Sequence, residues 1–314
     1  MSESSSYDPG DWKGHDFTAA RAAYDVHVGR AYAEAKAENK RASDMVPVSL
    51  STNSPAPLVV LCDVTGSMDD WPRTIFSKLP YLEHEAKEYL GPDMEISFAA
   101  TTDQDDSYPL QVHPFTKGTD LAKELSQFVV GGGSGPESAH EAYELAAAYY
   151  AFNCEMPKAQ HPILIFIADE HFHDSLEKSL AKVAHVKLEE RTTTKEIFEK
   201  LREKFAVYVI RKPYPGQDKE IEEEWTSVLG DDHIAALPSA DRVVDVIFGI
   251  LAKETDKIDY FKDEIAGRQR PDQIATVYKS LKTIHALPGQ VKDSKGKSVY
   301  KSLPSGGKTK RLLP

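Results

Sequence analysis

Cysteine is scarce in this chain, with Cys62 and Cys154 the only two among 314 residues. Cys62 falls inside an apolar run, where cysteine behaves as a small buried hydrophobe. The pair reads as free thiols, which points to a reducing, cytoplasmic setting. No run of about 18 apolar residues occurs, so no membrane-spanning helix is expected. Residues 1–14 are polar and lack the apolar core of a signal peptide. Positive charge is also in deficit: 38 Lys and Arg stand against 50 Asp and Glu, for a net charge of −12. That balance argues against nucleic acid or an anionic membrane as the main partner, and it suits a carboxylate-lined cation site. The Gly-x-x-x-x-Gly-Lys-Ser/Thr phosphate loop is missing, so any ATP hydrolysis would belong to a partner. No Ser-His-Asp order, nucleophile elbow or Cys–His pairing appears in a context that would support acyl transfer.

What is present suffices for a proper core, at 40% hydrophobic residues. From residue 57 onward, strand and helix signals alternate. Strands are expected over 58–63, 93–101, 163–169, 206–210 and 233–237, with a short antiparallel edge over 110–114. Helices are expected over 71–90, 119–129, 137–151, 174–189, 193–205, 220–229 and 240–254. This alternation predicts an α/β fold with a doubly wound, mostly parallel sheet and helices on both faces. Around it the chain divides into a flexible arm (1–15), an N-terminal helix and connector (16–56), the α/β unit (57–254), a helical extension (255–291) and a basic tail (292–314). The N-terminal helix, over 16–42, carries an apolar stripe of Phe17, Tyr24, Val28 and Tyr32. The extension should hold helices over 258–266 and 271–286.

The most informative stretch is Leu58-Val59-Val60-Leu61-Cys62-Asp63-Val64-Thr65-Gly66-Ser67-Met68-Asp69-Asp70. An apolar strand ends in a carboxylate, and two hydroxyls follow at alternate positions, with Gly66 expected to let the chain turn sharply. Such a loop can aim Asp63, Thr65 and Ser67 at one point. A thiol-free oxygen set suits Mg2+, with Mn2+ or Ca2+ as alternatives. A plain strand-to-helix turn with a helix cap has similar composition. Two further loops strengthen the signal. Gly131-Gly132-Gly133-Ser134-Gly135-Pro136-Glu137-Ser138 precedes a helix, and Ile165-Phe166-Ile167-Ala168-Asp169-Glu170 sets another carboxylate at a strand end. Asp63 and Asp169 should therefore emerge on the same rim, where ligand sites of such sheets lie.

In order and spacing these three loops resemble the von Willebrand factor A (VWA) domain family and its metal-ion-dependent adhesion site. Asp63, Thr65 and Ser67 match the family's Asp-x-Ser/Thr-x-Ser, and Asp169 matches its third-loop Asp. The family's usual second-loop Thr is missing. The Ser-Gly-Pro-Glu run is instead similar to the A-type domain of integrin β subunits, which implies Glu137 as a metal ligand with Ser134 as the fallback. Asp69 and Asp70 resemble the acidic pair that binds an adjacent ion in those subunits. The resemblance covers about residues 57–253. It implies a non-catalytic interaction module in which Mg2+, held at the rim, captures an Asp or Glu of a protein partner. Prokaryotic intracellular members of the superfamily commonly work beside MoxR-like AAA+ ATPases, which makes such an ATPase the expected partner.

One enzymatic reading competes. Asp169-Glu170-His171-Phe172-His173-Asp174 offers His-x-His beside carboxylates, and a metal-dependent hydrolase could use the same rim with His171 and His173. Asp103, in Thr101-Thr102-Asp103-Gln104-Asp105-Asp106, is a further candidate for a hard cation or its surroundings.

Overall fold

In a computed structural model of the chain, the described residues are 41–117, 128, 129, 139–284, 291, 292, 298 and 299. The expected N-terminal helix (but for its last two positions), most of the expected 119–129 helix, the expected second-loop ligand Glu137 with its fallback Ser134, and most of the basic tail lie outside them. The elements that position the rim are strands β1 (Pro57–Asp63), β2 (Glu95–Thr101), β3 (Leu110–Val112), β4 (His140–Glu141), β5 (Ile163–Ala168), β6 (His171–Phe172), β7 (Ala206–Arg211) and β8 (Ile234–Ala236). The helices are α1 (Trp71–Leu90), α2 (Tyr143–Asn153), α3 (Thr194–Arg202), α4 (Asp218–Leu229), α5 (Val243–Glu254), α6 (Ile258–Arg268) and α7 (Pro271–Ser280).

The apolar runs become the centre of a six-stranded sheet in the order β8-β7-β5-β1-β2-β3. All neighbours are parallel except β3, which runs antiparallel on the edge. Every residue of β1 and β5 is buried, as expected of strands covered by helices on both faces. The two-residue repeat of a strand then sorts side chains into two cores. Leu58, Val60, Cys62, Ile163, Ile165, Ile167, Tyr208 and Ile210 join α1 and α5 on one side. Val59, Leu61, Leu164, Phe166, Val207 and Val209 join α2, α3 and α4 on the other. Both cysteines are buried free thiols. Among the described residues, no helix is long and apolar enough to cross a membrane.

The C-terminal helices extend the first core. Phe261 and Ile265 of α6, Val277 of α7, and Leu281 just beyond it pack with α5. Leu281 lies so close over Gly249 that a β-carbon there would collide with it.

Three local expectations are corrected. The helix expected over 174–189 breaks up: Ser175–Leu176 pairs with Thr192–Thr193, and only short helical turns, Lys178–Ala181 and Lys182–Ala184, remain. His185 stops them with a left-handed backbone (φ 57°), while its Nε2 donates to the carbonyls of Ser43 and Val46 at 3.0 and 3.1 Å. The helix expected over 137–151 begins only at Tyr143, because His140–Glu141 is extended and pairs in parallel with His171–Phe172. Gly66 needs no special backbone: it opens a 3-10 turn, Gly66–Met68, with open space where a β-carbon would sit. The positive φ of that loop falls on Asp69, at 50°.

Candidate metal centre

From β1 the chain passes to β2 on one side, then returns to lay β5 against the other side of β1. The crevice at the carboxyl ends of β1 and β5 is thus the topological switch point, where open α/β sheets bind ligands. Asp63 ends β1, and Asp169 directly follows β5.

The first loop folds back on its own carboxylate. Asp63 Oδ1 accepts from the Thr65 backbone N–H at 2.8 Å and from Thr65 Oγ1 at 2.6 Å. Thr65 Oγ1 lies 3.1 Å from Ser67 Oγ, which donates to Asp169 Oδ1 at 3.2 Å. The structure therefore brings together Asp63, Thr65, Ser67 and Asp169, four of the expected residues, in one hydrogen-bonded chain of oxygens. Asp63 Oδ2 accepts from Tyr143 Oη at 2.5 Å.

Other expected residues stand apart. Asp69, whose side chain is 75% exposed, pairs with Lys212 at 2.8 Å, and Asp70 pairs with Arg73 at 2.8 Å. Asp103 accepts from the Gln104 N–H at 2.6 Å and lies 3.2 Å from His173 Nε2. His171 Nδ1 is 2.5 Å from Glu224 Oε2, and the His140 ring stacks against both His171 and His173. Among the described residues, no three His, Cys, Asp or Glu side chains are grouped as metal ligands. The convergence at the rim is one of carboxylates with hydroxyls.

Four groups at this rim were not chosen from the sequence. Glu170 is buried, and Asp63, Ser67, Glu141 and Tyr214 all act on its carboxyl. Glu141 is only 4% exposed, and its Oε2 has no hydrogen-bond partner among the described residues. Tyr143 follows two positions later, on the first turn of α2. Lys212 follows β7 and reaches the rim from the third strand end, donating to the Ser67 carbonyl and lying 3.8 Å from Asp169 Oδ2. Glu170 and Lys212 had a sequence signal, since polar residues just after an apolar strand emerge on the same edge, while Glu141 and Tyr143 had none.

Electrostatically the rim is short of positive charge. Burial raises the Asp63 carboxyl above its ordinary range, against hydrogen bonds from Thr65 and Tyr143. Burial, then the nearby Asp63 and Glu170, raises Asp169 although Lys212 opposes them. Glu170 is pushed up to about 7 by burial and by Asp63. Glu141 is raised strongly by burial, followed by Asp63 and Glu170. Carboxyls held this way hold protons more tightly unless a cation joins them. Hard oxygen donors with excess negative charge fit a divalent cation such as Mg2+, and so does the Glu141 oxygen that has no partner among the described residues.

No family model matches this sequence, and no curated protein is significantly similar to it. Among solved structures, the pilus adhesin SpaC from Lactobacillus rhamnosus GG in its open conformation is similar at 11% identity and a TM-score of 0.46 over 68% of this chain. A second form of that adhesin aligns at 10% identity and a TM-score of 0.46. The chain covers 31% and 32% of those two adhesin chains, about a third of their length. Proximal thread matrix protein 1 from the mussel byssus aligns at 11% identity over 66% of this chain and 46% of its own, with a TM-score of 0.39.

Proposed function

We propose that this chain is a VWA-type interaction module whose rim holds a divalent cation, Mg2+ foremost, and uses it to capture an acidic side chain of a protein partner. The observation that carries this reading is the oxygen chain Asp63–Thr65–Ser67–Asp169 at the switch point. Asp63 and Asp169 would supply charge, while Thr65 and Ser67 would supply neutral oxygens, leaving room in an octahedral shell. The bound ion would offer an open coordination position to a carboxylate. The protein's own part is to orient the ligands: Tyr143 holds Asp63 by its Oδ2, and Lys212 ties the Ser67 carbonyl to the end of β7. Outer contacts of this kind fix ligand geometry and tune affinity. A MoxR-like AAA+ ATPase is the partner that the family resemblance suggests.

The hydrolase reading depends on His171 and His173 serving the rim. Each has a ring nitrogen beside a carboxylate elsewhere, Glu224 and Asp103. That arrangement favours the binding module.

The test is a binding titration against a MoxR-like ATPase carrying alanine substitutions of its exposed acidic residues. Chelation and Thr65→Ala should weaken the complex to a similar degree, and the two together should add little, since both remove one shared interaction. One acidic residue of the ATPase should prove necessary. A complex indifferent to chelator and to Thr65→Ala would overturn the proposal.

A further inference from the structure

Glu141 is buried beside the rim, and one of its oxygens has no partner among the described residues. Its backbone is fixed from two directions. In β4, His140 and Glu141 pair in register with His171 and Phe172, and the His171 N–H donates to the Ala139 carbonyl at 3.1 Å. On the other side the Ala142 N–H donates to the Thr102 carbonyl, just past the end of β2, at 3.0 Å. Glu141 therefore stands between the loop after β5 and the end of β2, on the switch-point side of the sheet. The residue is 4% exposed, and its Oε2 has no hydrogen-bond partner among the described residues. The groups that act on it most strongly are Asp63 and Glu170, the carboxyls of the rim itself.

A buried carboxylate oxygen without a partner carries the full desolvation penalty of that atom. Buried carboxyls that act on one another as Glu141 and Glu170 do are eased by a proton held on one of them or by a cation near both. Mg2+ takes up to six oxygens. The rim's first and third loops offer Asp63, Thr65, Ser67 and Asp169. The geometry points to Glu141 as an additional carboxylate ligand of the rim cation, supplied by strand β4. This rests on the proposal that the rim binds a divalent ion, and it adds a ligand that no loop motif identifies.

The experiment uses the full chain stripped with chelator, titrated with Mg2+ alone by calorimetry and with Mn2+ alone by electron paramagnetic resonance. Thermal unfolding in chelator is followed in parallel. Glu141→Gln should weaken Mg2+ by at least about tenfold, the scale of losses at such sites. Its melting temperature in chelator should stay level or rise, because the amide has no charge to bury and can donate to Glu170. Glu141→Asp, which keeps a carboxylate, should retain more affinity than Glu141→Gln and alter the Mn2+ spectrum. A residue that merely supports the fold would lower the melting temperature and leave affinity alone, and that result would overturn the assignment. Equal affinity in wild type and Glu141→Gln, with loss in Glu137→Gln, would give the place to Glu137 instead. Failure of the wild type to bind either ion would overturn the cation site as well as this ligand.

Discussion

At the scale of single residues, Asp63 has two duties, and its two oxygens divide them. Oδ1 gathers the Thr65 amide and hydroxyl, while Oδ2 is held by the Tyr143 hydroxyl. Asp63→Ala should abolish Mg2+ binding in calorimetry and leave the circular dichroism spectrum unchanged, because the apolar part of β1 keeps the sheet. Tyr143→Phe should weaken Mg2+ roughly tenfold and cost about 1–3 kcal/mol of stability in denaturant unfolding. Unaltered Mg2+ affinity in that variant would mean that Asp63 needs no support from α2. The first- and third-loop residues were legible in the sequence because both end continuous apolar runs, and a strand of that kind delivers its next residue to the rim. Tyr143 and Glu141 were not legible. Residues 137–151 have helical composition, so Glu141 reads as one more helix residue until β4 pairs with β6.

At the scale of elements, the long apolar strands are legible in the sequence, while the two-residue strands and the helix starts are not. β1 and β5 are unambiguous because five or more successive apolar residues have no alternative in a sheet covered on both faces. The region 174–189 misled because Lys, Glu and Ala favour helix locally, while distant partners set its shape. His185 donates to carbonyls near residue 45, and Ser175–Leu176 pairs with Thr192–Thr193. Neither partner is visible from local composition. The packing of α7 offers a direct test of an element. Gly249 on α5 sits under Leu281, and a methyl group there must displace the leucine. Gly249→Ala should destabilise the chain by about 1–3 kcal/mol in denaturant unfolding, the usual range for overpacking. A neutral or stabilising effect would show that the segment after α7 yields at no cost, leaving only the gain from replacing a helical glycine.

At the scale of the whole molecule, metal, protons and stability are linked. Burial raises the carboxyls of Asp169 and Glu170, the latter to about 7, and burial also pushes Glu144 up to about 8. A carboxyl whose folded-state pKa is raised binds more protons folded than unfolded. Its contribution is complete below the ordinary carboxylate range and is lost as pH rises through the folded value. In chelator, the melting temperature should therefore fall from about pH 5 to about pH 8. Added Mg2+ should raise it more at the alkaline end, where fewer protons compete for the ligands. A melting temperature that climbs across this window in chelator would contradict the assignment of raised values. The central claim, that the oxygens at the switch point form a divalent-cation site, meets its most direct test in one calorimetric titration of the stripped full chain with Mg2+. Saturable binding in the wild type that disappears in folded Asp63→Ala is the predicted result. Wild-type binding that survives unchanged in Asp63→Ala, or no binding by the wild type at all, would contradict it.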